Sequence, residues 1–218
     1  MNLSSRLLTG AALLVALPAA MAASTVDMTV TGSIVPAACT PTLSIADFNH
    51  GKISKADLNT DKPTIIPTGK WGTLSVSCTA PTVYAIRGTD NRADTVAHYN
   101  MYVGPYGLGL TPAGEKLGAH YLDVHPTKSL IDGKPSFVSV GDAAGSRWSN
   151  AASANRAIRN NGELLGFHDT AGPITQPLAI KDATFSLLST LVMAPAKGLT
   201  LTDEVALDGA ATIEVVYL

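Results

Sequence analysis

The chain has 218 residues, of which only 15% are charged, and a formal net charge of −2. That balance excludes the basic surface expected of a nucleic-acid-binding protein. Gly (19) and Pro (13) cut runs rich in Val, Thr, Ser and Leu into short pieces, and long amphipathic helical patterns are scarce, so an all-β domain is expected.

The first segment predicts export. Arg6 follows the amino terminus, Leu7 to Leu17 is apolar apart from Thr9 and Gly10, and Pro18 breaks any helix. Ala20, Met21 and Ala22 offer the small-residue pattern of a cleavage site, so residues 1–22 read as a secretory signal peptide. The apolar run is shorter than the roughly 20 residues that a membrane anchor requires. Removing residues 1–22, in which Arg6 is the single charged side chain, leaves 196 residues with a net charge of −3. That length suffices for one substantial core. Cys39 and Cys78 are the two cysteines. An oxidising compartment favours their pairing across a loop of about 40 residues, a constraint of roughly 4 kcal/mol in the chain-entropy picture. Two buried free thiols are the alternative.

Val26 to Val35 alternates, with Val26, Met28, Val30, Gly32 and Ile34 on one face and Asp27, Thr29, Thr31 and Ser33 on the other. Gly32 interrupts the apolar face where a backbone would approach closely. Thr73 to Cys78 and Thr82 to Arg87 predict strands on either side of Ala80-Pro81. Tyr99 to Val103, Ala119 to Val124 and Phe137 to Val140 predict three more. Ala151 to Ile158 is the best helical stretch, ended by Asn160-Asn161-Gly162. Thr184 to Ala194 is apolar on both faces, as a central strand would be. Ala211 to Leu218 closes the chain, with Ile213, Val215 and Tyr217 on one face. The region from Gly88 to Pro173 reads as strands separated by long loops within one domain. Many short strands between turn signals suggest a sandwich or barrel.

No enzyme is indicated. Gly-x-Ser-x-Gly and His-Glu-x-x-His are absent from the sequence. Gly107-Leu-Gly109 begins like a nucleotide loop, but Pro112 takes the third glycine position. His120 and His125 flank Asp123, but period-two spacing puts His120 on the opposite face from the other two, so the three read as surface polar residues rather than a metal site. His50, His98 and His168 are isolated and read as turn residues. Trp71 and Trp148 suit a carbohydrate-binding face or, more simply, core and loop anchors. No cofactor is expected.

The two ends carry a resemblance. Thr25 to Cys39 (TVDMTVTGSIVPAAC) resembles the amino-terminal extension and first cysteine of chaperone–usher fimbrial (pilin) subunits. Asp47 to Ile53, within Leu43 to Ile53, resembles their next strand and turn. Leu74 to Cys78 is similar to the strand that carries their second cysteine. Gly209 to Leu218 resembles their last strand, with its penultimate Tyr217. The resemblance covers both ends and not the middle, and the chain is longer than a typical major subunit.

The resemblance implies an incomplete immunoglobulin-like β-sandwich, 36–218, with one disulfide and an amino-terminal donor-strand extension, 23–35. It implies a structural subunit of a Gram-negative fimbrium that passes through the periplasm to the cell surface and polymerises by donor-strand exchange. Its implied partners are a periplasmic pilus chaperone, an outer-membrane usher and neighbouring pilin subunits. Val26, Met28, Val30, Gly32 and Ile34 would enter a neighbour's groove, while Ile213, Val215, Tyr217 and Leu218 would belong to this chain's own groove and carboxyl-terminal strand. Either end also fits an ordinary edge or closing strand. The rival function is a single-domain secreted or fimbrial-tip carbohydrate-binding β-sandwich, which would use the loops of 88–173.

Overall fold

A computed structural model describes residues 28–31, 38–45, 47–67, 69–97, 99 and 102–218. The chain divides into two compact units, Met1–Val35 and Pro36–Leu218. The expected signal peptide lies outside the described residues, as do Val26, Gly32, Ile34 and His98. Met28 and Val30 are exposed residues of the amino-terminal unit, without regular secondary structure.

The larger unit is all-β, with no α-helix among the described residues. In chain order the strands are β1 (Cys39–Leu43), β2 (Thr64–Ile65), β3 (Lys70–Asp90), β4 (Tyr106–Gly107), β5 (Gly118–Val124) and β6 (Leu130–Ile131). They continue as β7 (Lys134–Pro135), β8 (Phe137–Gly141), β9 (Arg156–Ala157), β10 (Leu164–His168), β11 (Ala179–Met193) and β12 (Ala211–Tyr217). The pairings between these strands are antiparallel.

The 21-residue β3 organises the sheet. Its first half pairs with β1 on one side and β11 on the other. Its second half pairs with β12 and β10. Between the halves, Thr79, Ala80 and Pro81 are exposed, and the register with β11 shifts between Ile180 and Asp182. Pro81 offers no N–H to a ladder, so the break falls where one donor is already missing. The sheet curls there, and the two halves of β3 carry different neighbours. One set runs β1-β3-β11-β5-β4, the other β12-β3-β10-β8.

The core fills the space inside the curl. Leu74, Val76, Phe185 and Leu187 come from the first set, and Tyr84, Ile86, Leu165 and Phe167 from the second. The rings of Phe167 and Phe185 stack with centroids 4.0 Å apart, which brings β10 and β11 together across the core. Alternation explains the burial: in β3, Leu74, Val76 and Cys78 point inward while Trp71 and Ser77 face solvent.

The runs Thr73 to Cys78 and Thr82 to Arg87 join in one strand, and the strands expected around 119–124, 137–140, 184–194 and 211–218 are present. Cys39 and Cys78 are disulfide-bonded and directly opposite in register.

Four expectations about the fold require correction. His168, expected in a turn, closes β10 and is buried with its Nε2 2.8 Å from Ser139 Oγ. Ala151 to Ile158 is not helical. Ala151 bridges Gly172, Ala152 bridges Val138, and β9 pairs with β5. The Ile158 N–H donates to the Leu122 carbonyl, so sheet partners and burial of Ala157 and Ile158 override local helix propensity. Tyr99, Tyr102 and Val103 lie outside strands, and Tyr102 is held by its ring against Tyr121 at 5.1 Å. The segment Asp47–Ile53 has no regular structure, because the strand of this region ends at Leu43.

Reduction of the Cys39–Cys78 bond, or its removal as the Cys39→Ser, Cys78→Ser double variant, should lower the unfolding free energy by about 4 kcal/mol for a loop of this length. Urea unfolding with and without reductant measures this, and an unchanged midpoint would contradict it.

Candidate functional site

The carboxyl-terminal strand has one paired edge. Leu218 donates its N–H to the Val83 carbonyl and Asn91 donates to the Ala210 carbonyl, which sets the phase of the β12–β3 ladder. In an antiparallel pair, alternate residues turn their main-chain groups to opposite edges. The even-numbered residues of β12 therefore serve β3. Ala211, Ile213, Val215 and Tyr217 direct their N–H and C=O groups the other way, where they have no backbone partner among the described residues. An Arg87–Glu214 ion pair of 2.7 Å, made across the β12–β3 ladder, holds the paired edge.

β1 presents a similar edge. Ser44 donates to the Thr73 carbonyl and Thr79 donates to the Ala38 carbonyl, so Cys39, Pro41 and Leu43 turn their main-chain groups away from β3.

Between these edges lies a groove of about 1090 Å³. Pro41, Thr42 and Leu43 line one side, and Ala211 and Ile213 the other. Its floor includes Leu74, Leu122, Leu108, Leu117, Leu191 and Met193, drawn from two hydrophobic clusters. Two segments without strands, within 47–58 and 199–210, form the walls beyond the strands. The walls are tied across the gap at two places. The Cys39 N–H donates to the Tyr217 hydroxyl at 2.8 Å, and Lys52 meets Glu204 at 2.7 Å.

The sequence-predicted carboxyl-terminal residues occupy different positions in this site. Ile213 lines the groove and packs against the core, Val215 packs against the core, Tyr217 links to β1, and Leu218 is half exposed. Of the expected donor residues, Met28 and Val30 belong to the other unit, and the rest lie outside the described residues.

Two histidines line the groove, where the sequence reading expects His50 in a turn and His120 on the surface. His50 Nε2 lies 3.1 Å from Ser189 Oγ, while its buried Nδ1 has no partner among the described residues. His120, on β5, is buried with its ring 5.1 Å from that of Tyr106, and its Nε2 has no partner among the described residues. Burial pulls the His120 imidazole down to about 4, with nearby Asp90 opposing the shift and His50 adding to it. Burial and Lys70 lower His50 in the same direction. Both rings are therefore neutral at pH 7. Seventy residues separate these histidines in sequence, and spacing carries no trace of their lining one groove.

The other polar candidates sit elsewhere. His125 follows β5 and lies against Trp71 at 4.7 Å. Asp123, held above the usual carboxylate range by burial, shares the His125 end of the strand. Among the described residues no group of three His, Cys, Asp or Glu side chains is placed to hold a metal. Trp71 is partly exposed, but the Lys128 ammonium lies 3.9 Å from its ring centroid. Trp148 anchors a loop, donating its indole N–H to the Gly145 carbonyl and lying so close to Gly141 and Gly166 that a Cβ on either would meet its ring. Gly107, Gly109 and Pro112 make no phosphate cradle: Gly107 belongs to β4, and its N–H donates to Asp90.

Comparison with known proteins places the chain. The family described as "Protein of unknown function (DUF1120)" matches residues 28–104. Protein GltF of Escherichia coli (strain K12) is 30% identical over 250 aligned positions, which cover 95% of each chain. The chain belongs to the GltF family. No solved structure matches the chain.

The buried histidines predict acid sensitivity. Below pH 6.5 the unfolded chain binds a proton at position 120, whereas the folded chain resists until about pH 4. Stability is full above pH 6.5 and falls as pH drops through that window, by about 3 kcal/mol from His120. In urea unfolding at pH 7 and pH 4, His120→Phe should be nearly neutral at pH 7 and should remove most of this loss. An equal loss in the variant would contradict the assignment.

Proposed function

We propose that this chain is a structural subunit of a chaperone–usher type fimbrium, and that its groove is filled by the amino-terminal extension of a neighbouring subunit. The observation that carries the proposal is the groove itself: an apolar floor between two strand edges whose outward main-chain groups lack backbone partners among the described residues. Such edges recruit strands, with ladder bonds supplying affinity and alternate side chains filling pockets.

The order of strands supports this reading. An immunoglobulin-like sandwich has one sheet ordered A-B-E-D and a second containing C, F and G. In this chain β1, the first half of β3, β11 and β5 correspond to A, B, E and D. The second half of β3 and β12 correspond to C and F. The place of G, beside β12, is the groove. One departure is that β8 and β10 lie between β5 and β11 in the chain and extend the second set beyond β3. They account for part of the length that separates this chain from a typical pilin.

The proposed donor fits in length and pattern. Residues 23–35 would span about 44 Å if extended, more than the roughly 24 Å of a seven-residue strand such as β12. Val26, Met28, Val30 and Ile34 would each contribute about 1.5–3 kcal/mol on burial, before ordering costs. In this proposal a periplasmic chaperone covers the groove after export, the outer-membrane usher exchanges it for the next subunit's extension, and the product stands on the cell surface and contributes to adhesion. A carbohydrate-binding role has less support, since Lys128 lies over the ring of the partly exposed Trp71.

The test is a chain lacking residues 23–35, with and without a peptide of that sequence. The shortened chain should be unstable or aggregate alone, and the peptide should rescue it as a heat-resistant 1:1 complex. A stable monomer indifferent to the peptide would overturn the proposal.

A further inference from the structure

The outward face of the first set of strands carries a second, smaller cavity. Thr73 on β3 has the parity of Trp71, so its side chain turns away from the core side on which Leu74 lies. Ser186 on β11 lies opposite Thr73 in register, and Ser44, just past β1, donates its N–H to the Thr73 carbonyl. Three hydroxyls from neighbouring segments therefore stand in one row, roughly 10 Å long at the usual spacing between strands. Beside the row lie Trp71, Ile45 and Lys128, and together these residues line a cavity of about 280 Å³.

Each part of this cavity answers a different part of a ligand. Lys128 makes no ion pair among the described residues, and its ammonium rests 3.9 Å from the centroid of the Trp71 ring. At an exposed site that attraction is weak, and a carboxylate would offer the ammonium a charge-assisted hydrogen bond in its place. The charge of Lys128 is already felt nearby, since burial and then Lys128 hold the His125 imidazole below its ordinary range. The hydroxyls of Thr73 and Ser186 have no hydrogen-bond partner among the described residues, and that of Ser44 accepts the Thr73 N–H. A hydroxyl both donates and accepts, as the hydroxyls of a sugar do. The row is too long for a single small anion such as phosphate to span. Trp71 is 39% exposed and offers apolar surface to the C–H face of a ring. The volume lies near the low end of small-ligand sites, about 300–1,000 Å³, which suits one ring with its substituents.

We propose that this cavity binds an acidic sugar, a uronate or sialate residue. Its carboxylate meets Lys128, its ring lies along Trp71, and its hydroxyls reach Ser44, Thr73 and Ser186. The ammonium over Trp71 occupies ring surface on which a neutral sugar would stack, so the same contact that disfavours a neutral sugar selects a charged one. The cavity lies on the opposite face of β3 from Leu74 and the groove floor, so a strand seated in the groove leaves it open. The proposal goes beyond the strand occupant and does not depend on it.

NMR titration of the chain from Ala23 to Leu218 tests this at constant ionic strength, reading the indole N–H signals of Trp71 and Trp148. The probes are D-glucuronate, N-acetylneuraminate, D-glucose and inorganic phosphate, and Trp71→Phe assigns the two signals. At least one acidic sugar should shift the Trp71 signal saturably and leave that of Trp148, which is bonded to the Gly145 carbonyl, in place. Glucose should bind roughly tenfold more weakly, as the loss of one charge-assisted hydrogen bond would give, and equimolar phosphate should not displace the acidic sugar. Lys128→Gln should bind the acidic sugar about tenfold more weakly with glucose unchanged, and Lys128→Arg should retain most of the affinity. Equal binding of glucose and the acidic sugars, or an affinity unchanged in Lys128→Gln, would overturn the selection by charge. Displacement by equimolar phosphate would overturn the sugar, and no saturable shift with either acidic sugar would overturn the site.

Discussion

A half-paired strand governs this molecule. β12 is bonded to β3 along one edge, and along the other its main-chain groups at Ala211, Ile213, Val215 and Tyr217 have no backbone partner among the described residues. Buried main-chain groups need partners, and an apolar floor beside them needs cover. Water can satisfy the first requirement but not the second, whereas an added strand satisfies both. The groove and its strap-like contacts take their meaning from that incomplete pairing.

The rest of the fold keeps the incomplete edge open. β3 supports both β1 and β12, but through different halves, so the two edges diverge where the strand changes neighbours near Pro81. The Cys39–Cys78 bond holds β1 to the first half, and Arg87–Glu214 holds β12 to the second. The stacked rings of Phe167 and Phe185 keep the curl filled behind them. The Tyr217 hydroxyl and the Lys52–Glu204 pair limit how far the walls separate. The exposed ion pair is weak enough to open for an incoming strand.

Period-two burial made β3, β5, β8, β11 and β12 legible in the amino-acid sequence, because each packs one face or both on a core. The central position of β11 was legible for the same reason: Thr184 to Ala194 carries apolar residues on both faces, and β11 has β3 and β5 as neighbours. The disulfide was legible from two cysteines behind a segment that reads as an export signal. Segments whose structure is fixed by distant partners were not legible. Ala151 to Ile158 has helical composition, yet its main chain is claimed by Val138, Gly172 and β5. The segments 47–58 and 199–210 hold no strand and line the groove, and no short-range pattern marks them for that role. His50 and His120 line one groove only because β11 places Ser189 beside the first and β5 carries the second.

Hydrogen exchange at β12 measures the central claim most directly, comparing the chain lacking residues 23–35, refolded at low concentration, before and after addition of the 23–35 peptide. The open edge predicts fast exchange at the amides of Ile213, Val215 and Tyr217 and slow exchange at Thr212, Glu214 and Val216, with the peptide protecting the first set. Slow exchange at all six amides before the peptide is added, or no change on its addition, would show that β12 is already a fully paired strand and that the groove receives none.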